Sequence, residues 1–253
     1  MTFRTLVVCT ALVVGGLSGA ALTPDVVSSV GAMPPEIAGR FREPAGFQAA
    51  ESGQYFVFDR RGHTVFGVDA PQTGVWRIVE IGAEPGRIID PTAFSVAPDG
   101  TFVVADAPTN RERIQIFTPA GFRIGGFLIR SRDKPRVLLS GLALGGIGSL
   151  QYTGTSIVMS EPETGAIISE YTLAGGISRL IGTLRPTGHE DDPEVHLALN
   201  TGLPLVDPTG GFFFVFQTGE PVIRKYDATG MLQFERHIQG REIEALVGSL
   251  PTT

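Results

Sequence analysis

The densest group of side chains able to do chemistry is His189-Glu190-Asp191-Asp192-Pro193-Glu194-Val195-His196. Imidazole and carboxylate at this density can hold a divalent cation. The spacing lacks the helical His-Glu-x-x-His pattern that puts two imidazoles on one face, and no glycine marks a calcium-loop turn. Pro193 and the lack of apolar periodicity point to a solvated acidic loop. The functional alternative is weak binding of Ca²⁺ or Zn²⁺ through His189, Glu190, Asp191, Asp192 and His196. No other cofactor is implied.

Cation-bearing positions form a second set. Arginines outnumber lysines 18 to 2. Clusters stand at Arg60-Arg61, at Arg111 with Arg113, and at Arg130 with Arg132 and Arg136. Guanidinium groups match planar carboxylates and phosphates, so these clusters suit an acidic partner; ordinary solubilising surface is the simpler account. Arg60, Arg61, Asn110 and Arg111 are the candidate ligand-binding residues. Asn110 and Asn200 are the only asparagines, and each reads as a turn residue.

Nucleophilic catalysis finds little support. No Gly-x-Ser-x-Gly is present, and Gly145-Gly146-Ile147-Gly148 lacks the lysine of a phosphate loop. His63 stands in a hairpin turn where exposure is expected, and His237 in a charged strand. No catalytic residue is assigned. The single cysteine, Cys9, lies inside an apolar run, Leu6 to Leu17, that follows Arg4 and precedes Ser18-Gly19-Ala20. That is the pattern of a secretory signal peptide cleaved after Ala20. A mature chain without cysteine has no disulfide and no thiolate ligand. Export without disulfides fits a bacterial periplasmic or secreted protein with no membrane span after cleavage.

The elements that must position these residues follow from composition and repetition. Of 253 residues, 51 are Gly or Pro, a share that disfavours a mainly helical chain. With 42% hydrophobic residues the chain can bury a core, and a net charge of −6 argues against a nucleic-acid surface. The segment from Pro44 to Asp59 aligns without a gap on that from Pro91 to Asp106, 47 residues on. Weaker copies surround Gly154 and Gly210. The anchor glycines Gly53, Gly100, Gly154 and Gly210 are each followed by further apolar runs at similar offsets: Thr64–Val68, Arg113–Phe117, Ala166–Tyr171 and Val222–Tyr226, then 75–81, 122–129, 177–184 and 231–238. Each repeat reads as four short strands joined by Gly, Pro, Asp and Thr turns.

Four antiparallel strands per repeat of this length make one β-propeller blade. The fold class expected is all-β, with about four blades: 44–81, 82–130, 131–184 and 185–240. They follow a signal peptide (1–20) and an N-terminal segment (21–43), and precede a linker or short helix (241–253). A two-sheet sandwich is the competing architecture. A single blade is apolar on both faces and cannot cover them itself, which is why blades repeat.

The second repeat resembles an NHL-type blade in Gly82-Ala83-Glu84-Pro85-Gly86, Pro98-Asp99-Gly100, Val103-Val104-Ala105-Asp106, Ile114-Gln115-Ile116-Phe117 and Gly121. The fourth is similar more loosely. From about Pro44 to Gly240 the chain looks like the six-bladed propellers that many bacteria export. The resemblance implies a six-bladed type represented incompletely, with a complete four-bladed propeller as runner-up. The family that the chain resembles includes protein-binding, ligand-binding and catalytic members, and the function expected first is a non-catalytic scaffold that binds a protein or a small molecule at one propeller face. The alternative is a metal-dependent lactonase like gluconolactonase, which would need ligands converging near the channel mouth. The closing Asp of the second strand stands at Asp59 and Asp106 but is Ser160 and Phe216 in the later repeats, so no acidic ring is expected. Asp59 and Asp106 are expected to bind turn amides.

Overall fold

The computed structural model describes residues 33–108, 111–129, 137–139, 142–144, 149–218, 221–238 and 240. The proposed signal peptide with Cys9, Asn110, Arg130, Arg132, Arg136, the 145–148 glycine run and the 241–253 segment lie outside the described residues. Among the described residues no helix is long and apolar enough to cross a membrane.

Four four-stranded antiparallel sheets follow one another along the chain, each in simple sequential order. The first blade is β1 (Pro44–Ala49), β2 (Tyr55–Asp59), β3 (Thr64–Val68) and β4 (Val75–Val79). The second is β5 (Ala93–Val96), β6 (Phe102–Asp106), β7 (Arg113–Phe117) and β8 (Arg123–Leu128). A two-stranded hairpin, β9 (Val137–Leu139) with β10 (Leu142–Leu144), comes next. The third blade is β11 (Leu150–Tyr152), β12 (Ser156–Met159), β13 (Ala166–Thr172) and β14 (Ile177–Thr183). The fourth is β15 (Gly202–Val206), β16 (Phe212–Phe216), β17 (Val222–Tyr226) and β18 (Leu232–His237). The architecture is a four-blade β-propeller, with strands close to where the repeat places them. Two short helices, α1 (Pro35–Ala38) and α2 (Pro193–Leu199), were not expected from the pattern.

The repeat geometry has a local cause. Gly53, Gly100, Gly154 and Gly210 all take a left-handed φ, between 82° and 107°, in the turn from first to second strand. A side chain there would be strained, so the glycine recurs. In the second and fourth blades the same turn carries an Asp whose carboxylate accepts from the amide and hydroxyl of a following Thr: Asp99 with Thr101, and Asp207 with Thr209.

Packing is between blades. Phe102 and Val104 of β6 face the first blade, where Phe102 lies 5.4 Å from Phe56 and 5.1 Å from Phe117 between ring centroids. Val103 and Ala105 face the third blade, against Ile157, Met159 and Tyr152. Val158, Ile167, Ile168 and Ile181 meet Phe212, Phe214 and Phe216 of the fourth. Burial of each such side chain contributes about 1.5–3 kcal/mol. The outer face of the first blade is covered by Met33, Ile37 and Phe41 of the lead-in segment, on Val57, Phe66 and Val68.

The innermost strands are also tied by a regular hydrogen bond. Gln48 of β1 accepts from the Val96 amide (2.6 Å), Ser95 of β5 from the Tyr152 amide (3.0 Å), and Gln151 of β11 from the Val206 amide. Each tie joins one register position to the residue after its equivalent in the next blade. The equivalent position in the fourth blade is Leu205, which pairs with Phe213 as Ser95 pairs with Val103. Among the described residues no hydrophobic cluster and no such tie joins the fourth blade to the first.

Candidate functional site

In each blade the loop from second to third strand and the connection leading in from the previous element open at one end of the sheet. The first-to-second-strand turns sit at the other end, where the Glu51 amide donates to the Pro98 carbonyl of the next blade. The sequence-derived candidates therefore share one rim. Arg60, Arg61 and His63 follow β2; Arg111 follows β6; His189 to His196 lie between β14 and β15.

On that rim the acids and bases are sorted. Asp59, 1% exposed, accepts from the amides of Arg42 (2.7 Å), Glu43 (3.0 Å) and Gly62 (2.8 Å). Asp106, also 1% exposed, accepts from the Ile89 amide (3.0 Å) and pairs with both Nε and Nη2 of Arg113. Arg113 also donates to the carbonyls of Ala83 and Arg87. Both aspartates bind lead-in amides, in separate blades; Asp59 adds the Gly62 turn amide as expected, whereas Asp106 takes the Arg113 side chain in place of the expected turn amide. The third blade uses Ser160 instead, whose hydroxyl accepts from the Gly202 amide of the next blade (3.0 Å). Phe216 fills the corresponding place in the fourth.

The arginines face outward. Arg60 pairs with Glu43 but remains half exposed, and Arg61 and Arg111 are exposed. His63 differs from expectation: it is only partly exposed, takes φ 47°, and its Nδ1 is buried without a hydrogen-bond partner. The tight Arg60-to-Thr64 turn folds the ring inward, because Asp59 fixes the Gly62 amide.

The 189–196 segment is half loop and half helix, which corrects the loop expectation. Asp192 caps α2, accepting from the Val195 amide (3.3 Å), and Pro193 occupies the first turn, where its missing N–H costs nothing. Glu190 accepts from the amides of Thr187 and Gly188, which hold its carboxyl below the usual glutamate range. His196 Nδ1 lies 2.7 Å from Thr187 Oγ1 and 4.0 Å from Glu190 Oε1. Glu190, Asp192 and His196 thus serve local turns. Among the described residues no three His, Cys, Asp or Glu side chains are placed to share a metal ion. Asn200, expected as a surface turn residue, is fully buried. Its side chain binds the Arg185 amide and the carbonyls of Arg185 and His196, closing the connection on itself.

That connection borders a half-open pocket of about 500 Å³ that the candidate residues did not foretell. Arg185, Arg224, Glu235 and His237 line it. Arg224 donates to Glu235 (2.7 Å) and to the Thr183 carbonyl (2.8 Å). Arg185 donates to the carbonyls of Leu199 and Thr218. Both guanidinium groups lie over the Phe216 ring, at 4.2 Å for Arg185 and 5.1 Å for Arg224. The four residues come from three separate segments, so no local spacing announces them. The one available signal was Phe216, an aromatic ring where the first two repeats carry a carboxylate.

Neither a family model nor a curated protein matches this sequence. Solved structures do. The chain is similar to the β-propeller domain of Cps50 (Swd1) from Myceliophteria thermophila, at 9% identity and TM-score 0.51, over 78% of this chain and 56% of that one. It is similar to virginiamycin B lyase from Staphylococcus aureus, at 13% identity and TM-score 0.51, over 79% and 57%. It is similar to a chain of a nidogen/laminin complex, at 11% identity and TM-score 0.52, over 78% and 65%. The chain thus spans between about half and two thirds of the length of these propellers. At such identities the likeness is one of fold, and it identifies this chain as a β-propeller.

Proposed function

We propose that this chain is an exported, NHL-like propeller that acts as a non-catalytic scaffold, binding an acidic protein or ligand on its loop rim. One observation carries the reading. At the ends of β2 and β6, Asp59 is turned inward onto amides and Asp106 onto the Ile89 amide and Arg113, which leaves Arg61 and Arg111 outward there. Two outward guanidinium groups on neighbouring blades present a local cationic patch on an acidic protein. The diverse roles of similarly folded proteins agree with a fold that carries function in its loops.

Fluorescence anisotropy with a labelled polyglutamate peptide tests this. Binding should saturate, weaken with salt, and fall at least about tenfold when Arg61→Glu and Arg111→Glu are combined. Absence of binding, or binding that survives the double reversal, would sink the proposal. Export is tested separately: in a bacterial host the mature chain should be recovered outside the cytoplasm with Ala21 as its first residue.

A further inference from the structure

We propose that the cavity beneath the connection from β14 to β15 is a binding site for a small organic monocarboxylate with an apolar body. Its volume, about 500 Å³, falls in the range of ligand pockets. Among the described lining residues are two guanidinium groups, Arg185 and Arg224, and one carboxylate, Glu235, which also lies 3.5 Å from His237 Nε2. Hydrogen bonding from Arg224 holds Glu235 below the usual glutamate range, so its charge is present at neutral pH. The paired guanidinium groups favour a carboxylate. Arg224 is only 9% exposed, so its charge acts through less solvent than a rim arginine does. The remaining walls include Pro186, Leu199 and Val222, which suit an apolar body and leave a bare oxyanion such as phosphate without one. Asn200 and the cap on α2 fix the connection that forms one wall of this open pocket, so that wall is preformed.

The site is distinct from the arginine rim, and its test separates the two. Isothermal titration uses 2-naphthoate, with 2-naphthylmethanol as the neutral analogue of equal size and inorganic phosphate as the bare anion. Naphthoate should bind at one site, and the alcohol and phosphate at least about tenfold more weakly. Arg185→Gln should weaken naphthoate by a similar factor. Because that side chain also supports the connection, the deciding variant is Glu235→Gln. It removes the competing charge and should tighten naphthoate about tenfold, a gain that misfolding cannot produce. The combined Arg61→Glu and Arg111→Glu variant should bind naphthoate as the parent does. Equal affinity for alcohol and acid, preference for phosphate, no binding, or a Glu235→Gln variant that binds no more tightly would each overturn the proposal.

Discussion

The second and fourth blades share a topology and a repeat, yet they are buried differently. Every residue of β6 is buried, and so are four of the five in β7. In β16 and β17 burial alternates: Phe212, Phe214 and Phe216 face the third blade, while Phe213 and Val215 between them are half exposed. The run Phe-Phe-Phe-Val-Phe is more continuously apolar than Phe-Val-Val-Ala-Asp, but it is the less covered of the two. A continuous apolar run shows that a strand can sit between two layers. Whether the second layer is there depends on what else packs against it. The same contrast runs through the polar ties. The second blade hands Ser95 to its neighbour and closes β6 with Asp106, whereas the fourth carries Leu205 and Phe216 at those places.

Substitutions can break this contrast. Phe102→Ala, at the centre of the ring cluster, should cost about 3–5 kcal/mol in denaturant unfolding. Phe213→Ala, half exposed with Lys225 over its ring, should cost about 1 kcal/mol. Equal losses would mean that the fourth blade is covered on both faces in solution. Asp106→Asn should cost roughly 2–3 kcal/mol, because Arg113 loses its buried partner but keeps two carbonyls. Phe216→Leu should cost less, about 1 kcal/mol, by loss of ring stacking under the two guanidinium groups.

Gln151→Leu leaves the Val206 amide without its acceptor and should cost about 1–2 kcal/mol, while Leu205→Gln should change stability by less than about 0.5 kcal/mol. A stabilising Leu205→Gln would reveal an unmet amide beside the fourth blade. The smallest effect concerns acid. Lys225 and Thr209 hold the Asp207 carboxyl at about 2, below its ordinary 3.8. A lowered folded value adds stability that is fully present above the ordinary value and is lost as pH falls through about 2. Lys225→Met should therefore raise the acid-unfolding midpoint, with parent and variant diverging between pH 4 and 2. The register equivalent of Lys225 in the second blade is Ile116, so among the described residues Asp99 has its Thr101 bonds and no lysine at that place.

Much of the fold was legible because its causes are local. A left-handed turn needs glycine, and an Asp two residues before a Thr closes the same turn, so the anchors at Gly53, Gly100, Gly154 and Gly210 recur in the sequence. The bond from the Gly62 turn amide to Asp59 was legible for the same reason, while the lead-in amides of both aspartates and the Arg113 partner of Asp106 were not. Other features were hidden. Gln115 sits in an alternating strand where a polar residue suggests solvent, yet it is fully buried, accepting from the Gly86 amide (2.9 Å) and donating to the Arg87 carbonyl (2.7 Å). Asn200 read as a turn and is a buried staple. The inter-blade tie escaped notice because its three members are Gln, Ser and Gln, alike in accepting a hydrogen bond and unlike in sequence.

The sequence by itself determined the strands, their turns and their repetition, since backbone sterics and apolar periodicity act over a few residues. Only the tertiary structure decided which faces are covered, which charges turn inward, and that Arg185, Arg224 and Glu235 surround one cavity. Those outcomes depend on segments dozens of residues apart meeting in space, and short-range pattern carries no record of that meeting.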